Sequence, residues 1–185
     1  MIELFQSARE LKDLCDRQGW RSCLIGGIAV IRWGQPRVTR DVDLNVLTGF
    51  GGEDRIIDIL LDNYAARLPD GRDFALRNRI LLLKTSSGTG IDVSLGALPF
   101  EEMLINHATS FAFAPGLDLR TCSAEDLVVM KLFASRPGDV RDAEGVAIRN
   151  RDRLDWHYIE EQLRPLAEVK QDPEILKTMS RLLKI

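Results

Sequence analysis

A chain of 185 residues with 45% hydrophobic side chains suits one compact domain, or a catalytic core with a helical appendage, and can bury an ordinary core. Its formal net charge of −3 excludes a broad basic surface that holds nucleic acid by charge alone, although a local patch still has room to grip one RNA end. Three cysteines (Cys15, Cys23, Cys122) form no C-x-x-C pair and read as reduced thiols of a cytoplasmic protein, not a disulfide frame or a zinc site.

The opening MIELFQSARELKD is too charged for a signal peptide. No apolar run approaches the roughly 20 residues of a membrane-spanning helix, so no membrane partner is expected. Apolar positions at Leu4, Ala8, Leu11, Leu14 and Cys15 predict a helix over 3–18, closed by Gly19. A short strand follows at 20–25, then Gly26-Gly27, then a helix over 28–33 stopped by Gly34 and Pro36. RDVDLNVL (40–47) alternates polar and apolar residues with the period of a strand that has one dry face. TGFGG reads as a turn and 53–68 as a helix; TGFGGED lacks the Gly-Lys-Ser/Thr ending of a phosphate loop.

RILLLKT (79–85) and GIDVSLGA (90–97) predict a hairpin through Ser86–Thr89. A short helix at 100–108, a strand near 117–121, and a helix at 124–136 capped by Ser123 complete the middle. Beyond Asp139 the chain reads as helices broken near Asn150 and Asp172-Pro173. The fold expected is α+β: a mixed sheet flanked by helices over 1–122, with a C-terminal helical portion, 123–185, packed on it.

Asp41 and Asp43 stand two apart on a strand, so both carboxylates leave one face while Val42, Leu44 and Val46 leave the other. Paired carboxylates repel unless a cation lies between them. Mg²⁺ (or Mn²⁺) prefers oxygen ligands and keeps positions open for phosphates. Asp92 repeats the pattern, with Ile91, Val93 and Leu95 as its dry face; on a neighbouring strand it would bring a third carboxylate to the same place. Such a set suits two-metal phosphoryl transfer. A D-x-D alone is often only a solvated strand face. Gly26-Gly27 between strand and helix strengthens the case, because glycines let backbone N–H groups approach a phosphate at a positive helix end.

Taken together, LIGGIAVIRWGQPRVTRDVDLNV resembles the signature of the polymerase-β-type nucleotidyltransferase superfamily. The R-x-T-x-D-x-D-L arrangement (Arg37, Thr39, Asp41, Asp43, Leu44) is similar to the AbiE-type (AbiEii-like) toxin nucleotidyltransferases. The resemblance implies metal ligation by Asp41, Asp43 and Asp92, with triphosphate held at Gly26, Gly27 and Thr39. It extends to a helical Lys followed by a small residue, an Arg and a basic-Asp pair, matched here by Lys131, Ala134, Arg136, Arg141 and Asp142.

Lys131 lies in an otherwise apolar helix, where an unpaired charge is costly. It either snorkels to solvent or meets phosphate, and Lys131→Ala is expected to leave folding nearly intact. Arg141 and Asp142 equally suit a local ion pair. Trp33 suits either a core or a base-stacking position. His107 and His157 lack metal-ligand spacing, and Arg40 reads as surface charge. The chain is much shorter than the long AbiE-type toxins.

The function expected is transfer of NMP from an NTP to a hydroxyl with release of pyrophosphate. The acceptor is a tRNA end, a protein or a small molecule such as an aminoglycoside, in a toxin–antitoxin setting with a cognate partner. The competing readings are a catalytically inactive interaction module or antitoxin subunit, and a phosphate sensor.

Overall fold

The computed structural model describes residues 2–185. Helix α1 (Ile2–Gln18) buries the stripe Leu4, Phe5, Ala8, Leu11, Leu14 and Cys15, and Gly19 ends it at a positive φ of 68°. Strand β1 (Ser22–Leu24), helix α2 (Gly26–Trp33), strand β2 (Asp41–Leu47) and helix α3 (Glu53–Asn63) follow. Next come β3 (Ala65–Ala66), α4 (Gly71–Asn78), β4 (Ile80–Lys84), β5 (Gly90–Gly96), α5 (Pro99–His107), β6 (Thr109–Ala114) and β7 (Leu117–Thr121). The chain then continues as α6 (Ala124–Ala134), α7 (Pro137–Arg149), α8 (Trp156–Lys170) and α9 (Glu174–Leu182). None of these helices is long and apolar enough to cross a membrane.

The chain divides into two compact units. One comprises residues up to Ile28 with Val38–Thr121; the other comprises Ala29–Arg37 with Cys122–Ile185. The short segment 29–37 thus groups with the late helices and not with the strands on either side of it.

The first unit holds a seven-stranded mixed sheet in the order β3-β4-β5-β2-β1-β7-β6. β2 pairs with β5, and β1 with β7, in parallel; the other neighbours are antiparallel. Register aligns Val42, Leu44 and Val46 with Ile91, Val93 and Leu95, and β4 adds Leu81 and Leu83. All eight are at most 1% exposed, which makes this face of the sheet dry. Burying one such side chain contributes about 1.5–3 kcal/mol.

In the second unit Ser123 caps α6, its hydroxyl accepting from the Asp126 backbone N–H at 3.0 Å. The buried Asp126 carboxylate also accepts from the Ser123 and Tyr158 hydroxyls, both at 2.6 Å. Lys170, in the last turn of α8, donates to the Phe133 carbonyl at 2.6 Å and so satisfies the C-terminal end of α6.

Two expectations change, and two elements appear where none was expected. α3 stops at Asn63 and not at 68, because Tyr64 adopts extended backbone and Ala65-Ala66 join the sheet against Leu83 and Lys84. Helix α4 and edge strand β6 occupy stretches to which the sequence assigned no element. The helix expected to run to 136 ends at Ala134: Ser135 turns left-handed at φ 54°, and Pro137, without an N–H, opens α7.

Candidate active site

The face of β2 and β5 opposite the dry one is polar. The two strands run the same way, with Asp41 opposite Gly90, Asp43 opposite Asp92 and Asn45 opposite Ser94. Partners in register point to the same side of a sheet, so Asp41, Asp43 and Asp92 share one face, as the alternation of both strands implies.

Each acid has a defined setting. Asp43 Oδ2 accepts from the Gly27 N–H at 3.1 Å, at the start of α2, where the helix dipole favours a negative charge. Gly26 has a φ of 55°, and a β-carbon there would overlap the Asp43 carboxylate. A β-carbon on Gly27 would overlap the Thr39 side chain, whose hydroxyl lies 3.4 Å from the Asp41 carbonyl. A third glycine, Gly90, does the same for Asp41: a β-carbon there would overlap Asp41 Oδ1. The Gly-Gly turn, Thr39 and the carboxylates therefore interlock directly.

Arg67 is the part that sequence reading missed. It follows the two-residue strand β3, and its backbone N–H donates at 2.9 Å to the carbonyl of Leu82, the residue paired with Asp92. Its guanidinium donates to Asp92 Oδ1, and its Nη1 lies 3.9 Å from Asp41 Oδ1. Burial pushes the Asp92 carboxyl above the ordinary carboxylate range; Asp41 adds to that shift and Arg67 opposes it. No periodicity in NYAARLPD marks Arg67, because its position depends on the β3–β4 pairing.

Three aspartates on one face are the oxygen donors a hard divalent cation takes, so the residues fit such an ion by chemistry. As they stand, with Arg67 reaching two of them, no group of three or more His, Cys, Asp or Glu among the described residues is gathered closely enough to hold a metal.

The second unit contains a separate charge cluster. Lys131, 9% exposed, donates to Asp139 at 2.7 Å and lies 2.9 Å from Asp142. Arg37 grips Asp142 with two hydrogen bonds of 2.8 Å, and Arg136 bonds Asp139 at 2.6 Å. Three cations face two carboxylates, leaving one net positive charge. Burial raises the pKa of Asp139 and Asp142, but their bonds to Lys131 and to Arg136 or Arg37 outweigh it and hold both below the ordinary carboxylate range.

Lys131 is thus paired and not snorkelling, and its removal would leave Asp139 and Asp142 held only by the more exposed Arg136 and Arg37, contrary to the expectation of a nearly neutral Lys131→Ala. Asp142 pairs with Arg37 and Lys131 and not with Arg141, which is exposed. Trp33 is fixed by a 2.8 Å bond from its indole N–H to the Cys122 carbonyl, and the Arg32 guanidinium lies 4.1 Å from its ring centre. His107, His157 and Arg40 are exposed.

Residues 103–177 match a family described as nucleotidyltransferase of unknown function (DUF6036). The matched stretch contains Lys131, Arg136, Asp139, Arg141 and Asp142 and excludes the three sheet carboxylates. No curated protein sequence matches the chain.

Among solved structures, an antigenic nucleotidyltransferase-like protein from Paracoccidioides brasiliensis superposes with a TM-score of 0.56 at 16% identity, over 97% of this chain and 93% of that one. The antibiotic-resistance factor ANT(2'')-Ia superposes with a TM-score of 0.53 at 14% identity, over 92% of this chain and 91% of that one. At such identities the likeness speaks for the fold, which is nucleotidyltransferase-like.

Proposed function

We propose that this chain is a metal-dependent nucleotidyltransferase that moves NMP from an NTP to a hydroxyl acceptor. The observation that carries this reading is the shared face of Asp41, Asp43 and Asp92, interlocked through Asp43 with the Gly26-Gly27 turn. A bound divalent cation, Mg²⁺ or Mn²⁺, would supply Lewis-acid neutralisation of phosphate charge, with Asp41, Asp43 and Asp92 as its ligands.

In the reaction the acceptor oxygen bonds to the α-phosphorus, the bond to pyrophosphate breaks, and the acceptor's proton passes to the carboxylate cluster. The Gly26-Gly27 turn, at a helix N-terminus, is the element we assign to the triphosphate, and Thr39 shapes the backbone beside it. The net positive charge of the Lys131, Arg37 and Arg136 cluster supports a phosphate contact, while Arg141 is assigned a supporting role at the exposed surface. The acceptor we infer is a tRNA end, a protein or a small molecule such as an aminoglycoside, in an AbiE-like toxin–antitoxin setting in the cytoplasm. That ANT(2'')-Ia is an antibiotic-resistance factor supports including small molecules.

The test is incubation of the protein with each labelled NTP, Mg²⁺, total RNA and lysate. Label in RNA, protein or a small product, lost in Asp41→Asn, supports the reading and names the acceptor; no label from any NTP overturns it. The pairing of Arg67 with two of the carboxylates favours one rival, a non-catalytic interaction module, which predicts no binding of metal–NTP.

A further inference from the structure

We propose that Arg67 is the resident counter-ion of the carboxylate cluster, displaced when a divalent cation enters and released toward the incoming phosphates. This inference rests on the function proposed above. Arg67 bridges Asp92 on β5 and Asp41 on β2, so one guanidinium offsets part of the negative charge of both strands. The space for it is built in. Gly90 lies beneath both groups, and a β-carbon there would overlap Asp41 Oδ1 and stand 3.3 Å from Arg67 Nη1.

The stem and the head of Arg67 behave differently. Its backbone is fixed to the Leu82 carbonyl, so the side chain always starts from the same point beside Asp92. The side chain as a whole is 31% exposed, so it is not sealed in. A half-open guanidinium–carboxylate pair is a weak interaction, whereas a divalent cation carries twice the charge and is matched to oxygen ligands. The ion therefore wins the carboxylates, and a planar, bidentate donor is set free on the face where a triphosphate would lie. Without metal, Arg67 spares the fold the repulsion of its own acids. Metal entry and phosphate capture are thereby coupled, since one group leaves the first to serve the second.

The test is calorimetric titration with Mn²⁺, alone and with a non-hydrolysable NTP analogue, on wild type, Arg67→Gln and Arg67→Lys, after circular dichroism has verified folding. Arg67→Gln is expected to bind Mn²⁺ alone about five- to tenfold more tightly than wild type, the size of two weak ion pairs. In the presence of the analogue that advantage should disappear or reverse. Arg67→Lys, still cationic, should stay near wild type and serves as the second variant should the glutamine form be unstable.

Binding by Arg67→Gln but not by wild type would also support the proposal, with Arg67 as a complete block. Equal or weaker Mn²⁺ affinity in Arg67→Gln, with wild type binding normally, overturns the counter-ion role and leaves the nucleotidyltransferase reading standing. Absence of binding in every form, with and without nucleotide, overturns both.

Discussion

Asp43 and Asp92 are register partners on parallel strands, so their carboxylates leave the sheet side by side, while the Val42–Ile91 and Leu44–Val93 pairs that flank them face the dry side. The geometry is supported by the core beneath it. The acids can therefore be changed without disturbing what holds the strands together.

The first prediction follows from that separation. Asp41→Asn with Asp43→Asn keeps size and hydrogen-bond acceptors, including one for the Gly27 N–H, and removes two repelling charges. The double variant should melt within about 4 °C of metal-free wild type, the shift expected for roughly 1 kcal/mol in a chain of this size. Mg²⁺ should raise the melting temperature of wild type only. A collapse of stability, or a persisting Mg²⁺ shift, would show that these aspartates are structural.

Gly26 is the position where a single methyl group should do most harm. Gly26→Ala incurs about 1–2 kcal/mol for the left-handed backbone alone, and its β-carbon also displaces the Asp43 carboxylate. Transfer should fall by about 100-fold or more, the scale of an ångström of misplacement in a reacting site. Gly138→Ala, with nothing within 4 Å of the added carbon, is the control and should retain full activity.

Lys131 should prove structurally important. Lys131→Met takes the shared buried cation from Asp139 and Asp142 and leaves them to Arg136 and Arg37, at a cost of about 2 kcal/mol, the scale of a lost hydrogen bond to a charged group. Adding Asp139→Asn and Asp142→Asn removes those carboxylate charges and should recover part of that loss. The measurement is a denaturation series over Lys131→Met, the Asp139→Asn/Asp142→Asn pair and their combination. Independent, additive effects would show that the cluster is not one network.

The same network sets an acid limit. Asp139 and Asp142 titrate lower in the folded chain than in the unfolded one. Their stabilising contribution is therefore complete above the ordinary Asp value of about 4 and is lost as pH falls through the lower folded values. Melting temperature should drop below about pH 4, and the drop should be shallower in the double Asn variant. Equal slopes in the two proteins would assign the acid sensitivity elsewhere.

The cysteines offer a separate check on the core. Cys15, Cys23 and Cys122 are all buried, and burial pushes the Cys15 thiol up to about 11. A thiol reagent at neutral pH should label none in the native protein and all three after denaturation. Rapid native labelling would contradict the packing of α1 and β1.

Much of the site was legible because it is local. The two-residue period of β2 and β5 placed each acid opposite a dry residue, and Gly26-Gly27 marked the start of α2, which begins at Gly26 and not at 28. That β2 and β5 are neighbours was an inference the alternation permits and does not require, since the pairing joins strands separated in the chain by α3, β3, α4 and β4. Arg67 was invisible for the same reason, since its reach to Asp92 is a property of strand order and not of the residues around it. Lys131 was read correctly as a charge in an apolar helix that needs a reason. Its partners Asp139 and Asp142 lie on the next helix, beyond a break at Ser135 that propensity alone did not indicate.

The fit of Gly26 against Asp43 also constrains how such a chain can diverge. A lineage that acquires any side chain at position 26 has nowhere to put an aspartate at position 43, and one that keeps the aspartate cannot fill position 26. The constraint runs one way: position 43 can lose its aspartate while Gly26 stays, but position 26 can gain a side chain only after that aspartate is gone. A filled position 26 would therefore mark a descendant whose acid had already been lost.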